Sequence, residues 1–137
     1  MEVPILKERD YLIATVQAAL TDAEFVKLRE ELAARTRRFH SKGVILDVSA
    51  LDVVDSFSAR TLRSIAHVCR ALGAETVIVG MHPEVAQTMV QLGLTLGDVK
   101  TAVDLEDGLE LLRASGKGGR REWRATRAYP SRRKPTS

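Results

Sequence analysis

Residues 44–60, VILDVSALDVVDSFSAR, limit what this chain can fold into more than any other stretch. Val44-Ile45-Leu46-Asp47-Val48 is a β-branched run, short enough to be one strand buried on both faces. Such a strand belongs in a parallel or mixed sheet covered by helices. Ser49-Ala50-Leu51-Asp52 breaks the run, and Val53-Val54 adds one more apolar pair. Asp55-Ser56 then precedes Phe57, Leu62, Ile65, Ala66, Cys69 and Leu72, whose spacing traces one stripe of an amphipathic helix. Asp55 or Ser56 is therefore the expected N-cap, its side-chain oxygen accepting from a free backbone N–H.

Ser56 also suits a second role. A helix start offers unpaired N–H groups and the positive end of a dipole, so a phosphoserine there is tolerated, with a gain of ~0.3 to 1 kcal/mol. The modification need not unfold anything. Its effect falls on whatever meets the helix start, because it adds about 1.5 to 2 negative charges beside Asp55. At ~5 Å and an effective dielectric of ~20, each unit of like charge on a partner costs roughly 3 kcal/mol. A partner bringing carboxylates is expelled, and one bringing arginines is recruited.

The rest of the chain supplies a frame for this stretch. Val3-Pro4-Ile5-Leu6 reads as an edge strand, since Pro4 cannot donate to a central ladder. Residues 11–16 form its hairpin partner after a charged turn over Lys7 to Asp10. Thr21 and Glu24 make a capping box for a helix carrying Phe25, Leu28, Leu32 and Phe39, ending near His40 with Gly43 as the stop. The central helix closes at Gly73, and residues 76–80 read as another buried strand. Pro83 opens a short helix closed by Gly93, residues 99–103 form a short strand, and Asp104 with Asp107 caps a last helix. The order ββαβαβαβα implies an α/β fold, a mixed sheet with about four helices packed on it.

Charge divides the chain at residue 115. Residues 115–137 carry eight Lys or Arg against Glu122, a net of +7, whereas residues 1–114 carry thirteen basic and seventeen acidic side chains, a net of −4. The expected organisation is a folded domain over 1–114 and a basic, disordered tail over 115–137, with Gly and Ser at its start and isolated aromatics Trp123 and Tyr129. Clustered cations with interleaved aromatics leave a nucleic-acid contact open for the tail alone. No apolar stretch approaches the ~18 residues that span a bilayer. With no signal-peptide shape at the start, the expected location is the cytoplasm.

Catalytic constellations are missing. Gly116 to Gly119 lacks the GxxxxGK[ST] spacing of a phosphate cradle, and His40, His67 and His82 fall at no metal-ligand spacing. Ser56 has no GxSxG elbow, and Asp47 lacks the paired early acids of a receiver domain. The single cysteine, Cys69, lies on the apolar stripe and reads as a core residue. The chain is read as non-enzymatic, with no cofactor and no metal.

The strand-loop-Asp55-Ser56-helix stretch, the element order and the turn from Gly80 to Pro83 together resemble the STAS domain of anti-sigma-factor antagonists. Within that family, Val3-Pro4-Ile5-Leu6, Val53-Val54-Asp55-Ser56-Phe57, Leu72-Gly73-Ala74 and Leu105-Glu106-Asp107-Gly108-Leu109 resemble the RsbS-type stressosome scaffolds. The resemblance spans residues 1 to about 114. It implies a SpoIIAA-like fold and a phosphoacceptor at Ser56, written by an RsbT-type serine kinase and erased by a PP2C-type phosphatase. It further implies self-association, an RsbR-type STAS paralogue as partner, and an interface of Asp55, Ser56, Phe57, Ser58 and Arg60. A one-to-one anti-anti-sigma factor that binds an anti-sigma kinase without a large assembly is the alternative.

Overall fold

The computed structural model describes residues 3–94 and 99–116. The elements are β1 Ile5–Glu8, β2 Tyr11–Thr15, α1 Asp22–Phe39, β3 Gly43–Asp47, α2 Ser56–Ala71, β4 Glu75–Val79, α3 Pro83–Gln91, β5 Lys100–Ala102 and α4 Leu105–Gly116. The sheet order is β1-β2-β3-β4-β5, antiparallel between β1 and β2 and parallel elsewhere. This is the mixed sheet and element order expected from the sequence, with β3 at its centre.

Strand alternation decides which helix covers which face. Leu12, Val44 and Thr76 stand in register on one face, with Ala14, Leu46 and Ile78 beside them. Against that face pack Phe25, Leu28 and Leu32 of α1 and Leu62, Ile65 and Cys69 of α2. Ile13, Ile45 and Val77 stand on the other face, where they meet Leu112 of α4. A one-residue slip of β3 would exchange the two sets, so burial of both faces fixes the register. Cys69 is a core residue: it is buried, burial pushes its thiol pKa up, and the Thr36 hydroxyl lies 4.0 Å from its sulfur.

The third cluster bears directly on residues 48–55. Val85 and Met89 of α3 pack with Ala59 of α2 and Val54 of the loop, so α3 props the start of α2 from the side.

Local differences from the sequence reading have physical causes. The first strand starts two residues later than expected and turns tightly at Arg9, which adopts φ 56. Helix α1 stops at His40, itself left-handed at φ 52, so Gly43 is not its terminator. Gly43 instead begins β3 beneath α4, where a Cβ would lie 2.7 Å from the Leu112 methyls. Helix α4 runs to Gly116, and the Ser115 hydroxyl bonds Glu75 at the first position of β4. The ordered unit therefore reaches past 114; residues 117–137, expected to be a disordered tail, lie outside the described residues.

Candidate functional site

In a parallel sheet every crossover returns to the same edge, so α1 to α4 all begin where β2 to β5 end. The loop from β3 to α2 crosses the middle of that edge. Its first turn is set by Asp47, whose Oδ1 accepts from Ser49 N at 3.0 Å and Ser49 Oγ at 2.7 Å. Val48 N donates to Val79 O and Leu51 N to Val48 O, tying the loop to β4 and to itself. Ser49 comes so close to Gly80 that a Cβ there would meet the Ser49 Cβ at 2.8 Å, and Gly80 has φ 77. Leu51 and Val54 are buried and pin the loop at two points, while Val53 between them is 82% exposed.

His82, just before α3, reaches across to this loop. Its Nε2 lies 2.7 Å from Ser49 O and 3.8 Å from Asp52 Oδ1, so Nε2 carries the proton donated to the carbonyl. The sequence shows His82 directly before Pro83 but offers no signal for a partner 33 residues away.

The start of α2 resolves which residue caps it. Asp55 is the N-cap, with φ −98 and ψ 178; its Oδ1 accepts from Ser58 N at 2.8 Å and from Ser58 Oγ at 2.9 Å. Asp55 N donates back to Ser58 Oγ at 3.1 Å. This is a reciprocal capping box with serine where glutamate is usual. The Ser58 N–H and hydroxyl hold the Asp55 carboxyl below the usual carboxylate range.

Ser56 therefore has no capping task. It is the first residue of α2, half-buried, and its hydroxyl has no hydrogen-bond partner among the described residues. Ser58 is buried with its hydroxyl engaged in the cap, and Phe57 packs against the core. Of the five residues read as a partner interface, Asp55, Ser56 and Arg60 reach solvent, while Phe57 and Ser58 face inward.

The loops and first helical turns along this edge are acidic. Asp22 and Glu24 stand in the first turn of α1, Asp47, Asp52 and Asp55 along the β3–α2 loop, and Glu84 in the first turn of α3. Asp104 precedes α4, and Glu106 and Asp107 occupy its first turn. None of these loops and first turns contains a lysine or arginine. Acidic side chains belong at helix starts because they face the positive dipole end. Their joint effect is an acidic edge, opposed by Arg9, Arg37, Arg38, Lys42 and Arg113 at the other end of the sheet.

No group of three or more potential metal-ligating side chains occurs among the described residues, nor any helix long and apolar enough to cross a membrane. The STAS domain family profile matches residues 3–107. The chain belongs to the STAS domain family. Its STAS domain superposes with a TM-score of 0.77 on a serine-to-glutamate variant of RsbS from Moorella thermoacetica. That match has 35% identity and covers 85% of this chain and 99% of the other. A chain from a structure of the molecular architecture of the stressosome, a signal integration and transduction hub, gives 0.73 with 38% identity, covering 80% and 96%. Among curated relatives, the RsbT co-antagonist protein RsbRA of Bacillus subtilis is 27% identical over 111 residues, covering 80% of this chain. The STAS chain spans 40% of the length of RsbRA and 24% of that of RsbRD from the same organism.

Proposed function

We propose that this STAS domain is a non-enzymatic regulatory scaffold of the stressosome type, switched by reversible phosphorylation of Ser56. In this reading it assembles in the cytoplasm with an RsbR-type paralogue and holds an RsbT-type serine kinase. The kinase, using ATP, releases itself by modifying Ser56, and a PP2C-type phosphatase resets the site. The observation that carries the reading is the division of labour at the start of α2. Asp55 and Ser58 cap the helix between them, and Ser56 keeps a partly exposed hydroxyl that the fold does not use. The similarity to RsbS over 99% of that chain supports the same assignment.

A phosphate at the first helical position meets free N–H groups and a favourable dipole, so the domain stays folded. The consequence is confined to the contact surface. There the new charge adds to an edge already lined by Asp52 and Asp55, and a kinase surface presenting carboxylates loses roughly 3 kcal/mol per unit charge at ~5 Å.

Mass spectrometry after incubation with ATP and the host's RsbT-type kinase tests the switch. One phosphate on Ser56 is expected; none, or one on Ser115, Ser131 or Ser137, sinks it. Mixing with the RsbR-type paralogue tests the scaffold, which requires a particle many times the 15.1 kDa of the chain. A small complex with a kinase alone would favour the one-to-one antagonist.

A further inference from the structure

Helix α2 differs from the other three in the charge of its open side. Helices α1, α3 and α4 each carry acidic residues in the first turn, whereas α2 has none there or anywhere along Ser56–Ala71. With Leu62, Ile65 and Cys69 turned to the core, Ser56, Arg60, Arg63 and His67 follow one another at spacings of four, three and four on the side away from it. Arg60 is exposed, and neither Arg60 nor Arg63 makes an ion pair among the described residues. A cationic stripe thus runs down α2 from Ser56, beside loops that carry Asp47, Asp52 and Asp55.

Arg60 is the cation nearest to Ser56 along the helix. Positions four apart on one face have Cβ atoms about 5 to 6 Å apart. Helical side chains lean toward the N-terminus, so an arginine covers the turn before its own Cα. For Arg60 that is the turn Ser56 begins. A carboxylate on a partner meets repulsion from the aspartates of the loop and finds its counter-charge on this helix face.

We propose that Arg60 is the counter-ion of the switch. In the unmodified chain it receives a carboxylate of the kinase. A phosphate on Ser56 brings about 1.5 to 2 negative charges and three acceptor oxygens within reach of the same guanidinium, whose planar fork suits a bidentate phosphate contact. The phosphate is held one turn away on the same helix and the kinase carboxylate is not, so the internal pair displaces the external one. Release then follows from two changes at once: negative charge is added, and the cation that drew the partner is taken up. This inference rests on Ser56 as the phosphoacceptor and adds the residue through which the phosphate acts.

Two measurements test it. Phosphoserine encoded at position 56 during translation reads the internal pair without any kinase. In phosphorus NMR titrations the second phosphate pKa should lie below that of the Arg60→Gln variant by roughly 0.2 to 0.4, because a nearby cation favours the dianion. Arg63→Gln, one turn further from the phosphate, should change it less. Equal values with and without Arg60 overturn the proposal. Isothermal titration of the unmodified chain with the host's RsbT-type kinase reads the external pair. Arg60→Gln should weaken binding about tenfold and the charge reversal Arg60→Glu further still, with far-ultraviolet circular dichroism unchanged. Unaltered affinity in Arg60→Glu overturns the proposal and leaves phosphorylation of Ser56 untouched. Failure of the proposed function itself looks different: no phosphate reaches Ser56 from the kinase and ATP, whatever residue stands at 60, and this inference falls with it.

Discussion

The starts of α2 and α3 lie side by side on the same edge and solve the same problem in opposite ways. Each must satisfy free N–H groups at a helix end. Helix α2 does so with its own side chains, Asp55 and Ser58, in a closed box. Helix α3 has no side-chain cap; Pro83 at its first position removes one donor, and His82 turns away to hold Ser49 of the neighbouring loop. One helix start is self-sufficient, and the other lends its side chain to the loop that delivers Ser56. Ser56 is left without a capping task because Asp55 and Ser58 do that work between them.

Breaking the box has the largest expected effect. Asp55→Ala removes the acceptor for two Ser58 bonds and should destabilise the domain by about 1 to 2 kcal/mol in urea unfolding. Asp55→Asn keeps a capping oxygen and isolates the charge. Because folding lowers the Asp55 pKa, the charge contributes stability above the unfolded value near about 4, and that contribution is lost as pH falls through the folded value. The stability gap between the unmodified protein and Asp55→Asn should therefore be present at neutral pH and close in acid. A gap independent of pH would mean the carboxylate acts only as a neutral acceptor. Ser58→Ala leaves the Ser58 N to Asp55 bond in place but deprives Asp55 N of its acceptor, for a loss of about 1 kcal/mol.

His82→Ala sharpens the contrast at the other helix. Helix α3 should keep its stability, since it has no side-chain cap to lose. The loop should loosen, with a cost of about 0.5 to 1 kcal/mol for one exposed hydrogen bond. Amide hydrogen exchange separates the two: residues 49–54 exchange faster while residues 85–91 do not. Equal acceleration in both would show that His82 serves its own helix after all.

How much of this was legible in the sequence depended on how local the cause was. The β-branched run of β3, the Thr21–Glu24 box, Pro83 at the start of α3 and the Asp104–Asp107 cap each rest on residues within four positions, and each appears in the structure. Gly43 misled because glycine after a helical run reads as a terminator. His40 took the left-handed position instead, and the glycine serves contact with Leu112, nearly seventy residues on. The choice between Asp55 and Ser56 as cap could not be made because the box partner is serine rather than the expected glutamate or glutamine. The His82–Ser49 bond and the gathering of acidic helix starts come from the parallel crossovers, which bring distant helix starts together.

Ser56 itself should have the smallest effect on stability and the largest on binding. Its hydroxyl has no partner among the described residues, so Ser56→Ala should leave unfolding unchanged within about 0.5 kcal/mol, as for a surface change away from caps and core. On the proposed function, the same variant cannot accept phosphate and should retain the kinase in the presence of ATP. Ser56→Asp places one charge where phosphate places about 1.5 to 2, and should weaken kinase binding only in part. Isothermal titration of both variants with the kinase reads these outcomes directly. Equal affinity for the two would sink the electrostatic switch even if Ser56 proves to be phosphorylated, because stability, cap and helix are the same in both. A loss of stability in Ser56→Ala comparable to that in Asp55→Ala would remove the premise, by showing that Ser56 takes part in the cap that Asp55 and Ser58 form.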